Sequence, residues 1–164
     1  MKRLLFAIIL AALAWTGHWF WAAHQLRQQT ETWLTALRST GWTATYDDQT
    51  VLGFPNRLDQ TFSDITLADP SGETRWQAPF LQVFRLSYKP DHLILIWPED
   101  QTLTTPAGVT TIADTGMRAS LILDGTDILR SNLEAETLTL ITPDSRFAFS
   151  GLTTFSAFFS FTSF

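Results

Sequence analysis

The sequence predicts a mainly β protein. An N-terminal transmembrane helix and a short amphipathic helix precede a meandering, incomplete antiparallel β-sheet. Three observations carry this expectation. Leu4 to Ala23 runs for twenty residues without a formal charge. Beyond Trp42 the apolar residues recur with a period of two. Turn residues then punctuate the chain about every ten positions, as in a meander of antiparallel strands rather than a series of βαβ units.

The first run reads LLFAIILAALAWTGHWFWAA. As a helix it rises about 30 Å, the thickness of a bilayer's hydrocarbon core. Met1, Lys2 and Arg3 place three positive charges before it, and a positive flank stays in the cytoplasm. Trp15, Trp19, Phe20 and Trp21 crowd its far end like an interfacial aromatic belt. The expectation is therefore a single-pass inner-membrane anchor over residues 1–24, with the N-terminus cytoplasmic and the C-terminal domain in the periplasm. The bilayer is the expected partner through Leu4–Ala23. A cleaved signal peptide is the competing reading, with Ala12-Leu13-Ala14 as a small-x-small cleavage site.

Residues 25–41 follow as an amphipathic helix. Leu26, Trp33, Leu34 and Leu37 recur at helical spacing, and Gly41 is a plausible stop. This helix either continues the span outward or folds onto the sheet as a cover.

The β domain is expected over residues 42–146. Trp42, Ala44 and Tyr46 alternate with threonines. Gly53-Phe54-Pro55 marks a kink or an edge-strand start. Phe62, Ile65 and Leu67 belong to a strand whose spacing breaks once, the signature of a bulge. Asp69-Pro70-Ser71-Gly72 is a turn. Phe80, Phe84, Leu86 and Tyr88 share a face, Lys89-Pro90-Asp91 is read as a hairpin turn, and His92 to Trp97 runs back. That returning strand is apolar on both faces, so it is expected to be central or covered. Shorter strands are expected over 101–105, 109–112, 117–123 and 133–141. Residues 147–164 form a Phe-rich tail without a charged side chain, read as an edge strand or the scar of a truncated frame.

Charge is divided unevenly. Residues 1–41 carry four Lys or Arg against one Glu; the remainder carries seven against fifteen acidic residues. An acidic domain does not suit nucleic acid as a broad electrostatic partner. Cysteine is absent, which removes disulfides and thiolate metal sites. His18, His24 and His92 stand at no metal-ligand spacing, and no GxSxG, P-loop or GxGxxG occurs. The acid pairs Asp47-Asp48 and Glu99-Asp100 fall at turns. No catalytic, cofactor or metal residue is assigned.

Several motifs occur in a familiar order: Gly41-Trp42, Gly53-Phe54-Pro55-Asn56-Arg57, Trp76-Gln77-Ala78-Pro79-Phe80, Leu86 to Ile94, and Trp97-Pro98. Over roughly residues 15–141 the chain resembles the family called domain of unknown function 2125, exported proteins of Gram-negative bacteria. The resemblance implies export and a β-rich fold, and supplies no activity. Members usually run about twice this length, so the resemblance also implies a truncated member. In layout alone the chain is similar to AsmA-like envelope proteins, which are associated with lipid movement between membranes.

Two function classes remain. The first is a membrane-anchored cell-envelope scaffold or interaction domain, with lipid or an envelope protein as partner. Its sharper form binds lipid on an apolar sheet face, for which period two nominates Trp42, Phe84, Leu86, Leu93, Leu95, Trp97 and Leu121. That face could equally be covered by the helix of residues 25–40 and be plain core. The second class is an envelope enzyme whose catalytic groups are not recognisable in this chain.

Overall fold

The computed structural model describes residues 2–125 and 127–159, with side chains as far as residue 152. Met1 of the positive flank and residues 160–164 of the Phe-rich tail lie outside the described residues. Helix α1 (Lys2–Ser39) is followed by β1 (Thr43–Thr45), β2 (Asp48–Leu52), β3 (Arg57–Ala68), β4 (Arg75–Leu86) and β5 (Lys89–Ile96). Then come β6 (Asp100–Thr105), β7 (Gly108–Thr115), β8 (Arg118–Asp124), β9 (Asp127–Ile141) and β10 (Arg146–Phe159). The protein is mainly β, and every ladder is antiparallel.

The span and the amphipathic helix are one continuous helix. No residue between Leu4 and Ser39 breaks it, because the first proline is Pro55 and Gly17 sits in an open position. The helix stops where the sequence places its stop. Gly41 has φ 91°, and a Cβ there would lie 3.2 Å from Pro70 Cβ, so a side chain would be strained on both counts.

Among the described residues the strands trace seven long passes of a simple meander. β1 and β2 both pair with β3 in one running register, Thr43 opposite Ala68 and Leu52 opposite Asp59. β5 and β6 follow each other along β4, and β7 and β8 follow each other along β9. Each pass returns beside the one before it.

These passes break at a common level. Asp64 adopts φ 49° and Pro79 lies opposite it, so the β3–β4 ladder skips from Ser63–Phe80 to Ile65–Ala78. Proline has no N–H to give a ladder, and the skipped residue lets both strands change face. Inward residues run Leu58, Gln60, Phe62 and then Ile65, Leu67, which is the single spacing break the sequence contains. Neighbouring passes break at Tyr46–Asp47, Trp97–Glu99 and Gly116–Met117. A buried polar knot closes the crease. Gln101 receives a bond from Trp76 Nε1–H at 2.9 Å and donates to Asp114 Oδ2 at 3.0 Å, while Met117 N–H donates to Asp114 Oδ1 at 3.1 Å.

Helix α1 lies along the edge pass. Trp15 Nε1–H donates to Pro55 O at 3.1 Å and Trp19 Nε1–H to Arg57 O at 2.7 Å. Gln60 Nε2 donates to Thr30 Oγ1 at 2.9 Å, and Arg38 Nε–H to Ala44 O at 2.8 Å. Between these bonds Trp19, Ala23 and Leu26 pack on Val51 and Leu58. A second cluster, Phe62, Ile65 and Ala78, continues the core away from the helix.

Two expectations are corrected, the β4–β5 turn and the start of the last long strand. The β4–β5 turn is Ser87–Tyr88, not Lys89–Asp91, because Leu86 pairs with Lys89 across a bulge. His92 consequently lies in β5, with Nε2 2.9 Å from Ser120 Oγ. β5 is central by pairing, between β4 and β8, as expected, but neither face is fully covered: Ile94 is 38% exposed on one side and Leu93 and Leu95 are half-buried on the other. The last long strand begins at Asp127 rather than Leu133, and the described part of the tail is β10, paired to β9.

Candidate functional site

The helix covers only part of the inner sheet face. Beyond its contact with β2 and β3, an apolar groove of about 540 Å³ stays open. One wall is helical, from Thr30, Trp33 and Leu34. The floor comes from Phe62 of β3, Leu81 and Val83 of β4, Leu93 and Leu95 of β5, and Leu121 and Leu123 of β8. Tyr46 and Ile65 close one end against the second core cluster. The groove's size falls within the range of about 300–1,000 Å³ typical of small-molecule sites.

Register explains the floor. Val83 faces Leu95, Leu93 faces Leu121, and Gln60 faces Val83. Residues paired across antiparallel strands point to the same side, so these side chains form one continuous apolar surface. The polar group among them is satisfied: buried Gln60 gives its amide to Thr30. Arg85 lies on the same face, opposite Leu58 on one side and Leu93 on the other. It is half-buried, and that burial pulls its guanidinium pKa below the ordinary value. Arginine stays charged under such shifts. Among the described residues no hydrogen-bond or acidic partner faces Arg85.

The seven residues nominated by period two divide. Leu93, Leu95 and Leu121 meet in the groove. Phe84 does not. It faces Ile94 and Asp59 on the outer side, where the Arg57 guanidinium stacks 4.9 Å from its ring centre and pairs with Asp59 at 2.8 Å. Leu86, opposite Arg57, shares that outer side. Trp42 precedes β1 and is exposed, and Trp97 sits in the break between β5 and β6. Period two alone misplaces Phe84 and Leu86 because both faces of β4 carry apolar side chains, Leu81 and Val83 inward, Phe84 and Leu86 outward, whereas Trp42 and Trp97 lie outside the strands. Phe62, Leu81, Val83 and Leu123 complete the floor and are not among the seven. The helical wall is the cover proposed from sequence, displaced to one side.

Titratable groups do not gather. Among the described residues no three His, Asp or Glu side chains stand together as metal ligands. The His92–Ser120 pair lies on the exposed outer side, away from the groove.

A family model described as "Uncharacterized protein conserved in bacteria (DUF2125)" covers residues 19–158. No curated protein matches, and no solved structure matches.

Proposed function

The chain belongs to the DUF2125 family, and on that premise we propose that it is a membrane-anchored cell-envelope protein that holds an acyl chain of a lipid in the groove between α1 and the sheet. The role is non-catalytic binding. Leu4–Ala23 is the inner-membrane anchor, with the N-terminus cytoplasmic and the sheet periplasmic, in keeping with the charge step across it. The observation that carries the reading is the groove itself, apolar on floor and wall and open at its side. A groove of about 540 Å³ lined by aliphatic and aromatic side chains has the size and lining of a small-molecule site. Arg85, charged and without a partner among the described residues, lies beside Leu93 and suits an acidic lipid head.

Native mass spectrometry of the full chain, extracted gently from membranes, tests this. One acidic lipid should remain bound to the wild type and be lost from Leu121→Asp. Wild-type protein that flies without any lipid refutes the groove reading, and a neutral lipid refutes the role given to Arg85. A reporter fused after Thr40 should work only outside the cytoplasm.

A further inference from the structure

The contacts of α1 set how deep the sheet can sit. At about 1.5 Å per residue, Lys2 to Trp15 spans roughly 20 Å. The hydrocarbon core needs about 30 Å. Yet at Trp15 the helix is already bonded to the sheet, through Pro55 O, and by Trp19 it is buried against it. The free part of the helix is therefore too short to cross the core alone. The missing length is shared with the end of the sheet that Trp15 and Trp19 hold.

That end has the surface such a position requires. The β2–β3 corner presents Leu52, 65% exposed, and Phe54, 52% exposed, with Phe54 edge-on to Trp19 at 5.6 Å between ring centres. The β4–β5 turn presents Tyr88, 62% exposed. The two tips are tied together, for Ser87 N–H donates to Asn56 O at 2.9 Å and Ser87 Oγ–H to the same oxygen at 3.0 Å. The corner Leu52 to Asn56 carries no charge. Phe20 and Trp21 are exposed at the same level of the helix. Aromatic and aliphatic tips grouped around an interfacial Trp are the composition of a membrane-inserted rim.

We propose that the Leu52–Pro55 corner and the Ser87–Tyr88 turn are inserted into the outer leaflet of the same bilayer, as a second membrane contact beside the helix. This rests on the anchored reading above. It sets the Arg85 end of the groove, one residue pair from the rim, at the lipid headgroups.

The absence of native cysteine makes the test direct. Single-cysteine variants Leu52→Cys, Phe54→Cys and Tyr88→Cys are labelled with a fluorophore. Glu73→Cys, in the β3–β4 turn by the far end of α1, is the reference. All four positions are exposed, so folding is not at stake. The full chain is reconstituted into phosphatidylcholine–phosphatidylglycerol vesicles containing lipids with a nitroxide near the head of the acyl chain. Quenching at 52, 54 and 88 should exceed that at 73 by at least twofold. Vesicle-bound protein whose labels at 52, 54 and 73 quench equally overturns the inserted rim while leaving the anchor standing. Protein that fails to stay with the vesicles overturns the anchored reading and the rim with it. Self-quenching between labelled copies at 54, without nitroxide quenching, overturns the rim in favour of a second copy of this chain.

Discussion

Leu95 and Ile94 are adjacent aliphatic residues of β5, and an aspartate at each separates the two faces of the sheet. Leu95 lines the groove opposite Val83. Its replacement removes about 2 kcal/mol of apolar burial and sets a carboxylate against an apolar wall at a further cost of about 1–2 kcal/mol. The expected loss for Leu95→Asp is therefore about 3–4 kcal/mol. Ile94 points to the outer side and is 38% exposed. Its aspartate reaches water, so Ile94→Asp should cost only about 1 kcal/mol. Urea unfolding of the full chain in mild detergent, followed by tryptophan fluorescence, measures both. The same samples report lipid retention: Leu95→Asp should lose at least tenfold in affinity, about 1.4 kcal/mol, and Ile94→Asp should keep its lipid. Equal destabilisation by the two variants, or lipid loss from Ile94→Asp alone, refutes the assignment of faces.

Two further outcomes follow from the knot and the turns. Asp114→Ala removes the acceptor of the Met117 N–H and leaves the Gln101 amide only its longer bond to Pro98 O at 3.4 Å, and should cost about 1–3 kcal/mol in the same unfolding assay, whereas Asp114→Asn keeps one acceptor and should cost less. A loss within about 0.5 kcal/mol for the alanine variant contradicts the structural role of the knot. The Asp69 carboxyl is held below its usual 3.8 first by the Ser71 hydroxyl and then by Thr74 N–H. Since its folded pKa is the lower one, its contribution is present above 3.8 and is lost as pH falls through the folded value. The stability gap between wild type and Asp69→Asn should thus close on acidification, and a gap constant from neutral pH to below 3.8 would contradict this.

What the sequence determined by itself were the features that are local. A charge-free run of twenty residues needs no partner to be a helix of membrane-spanning length, and α1 has that length. Gly41, Gly53 and Asp69-Pro70-Ser71-Gly72 act through their own backbone preferences, so the ends they mark fall where expected. The interval between Phe62 and Ile65 marks the break directly, although one residue is skipped on each strand, Asp64 and Pro79, with the register unchanged, in place of the expected bulge. Tertiary structure alone decided what depends on pairing. β4 is apolar on both sides, so its own sequence does not say whether Val83 or Phe84 faces the helix. Only the register with Leu58 and Gln60, which the helix fixes through Leu26 and Thr30, makes that choice. The groove likewise joins Leu34 to Leu81, Leu95 and Leu121, residues that periodicity within single strands cannot connect. The short free length of α1 has the same origin, for the indole bonds from Trp15 and Trp19 reach carbonyls forty and thirty-eight positions away.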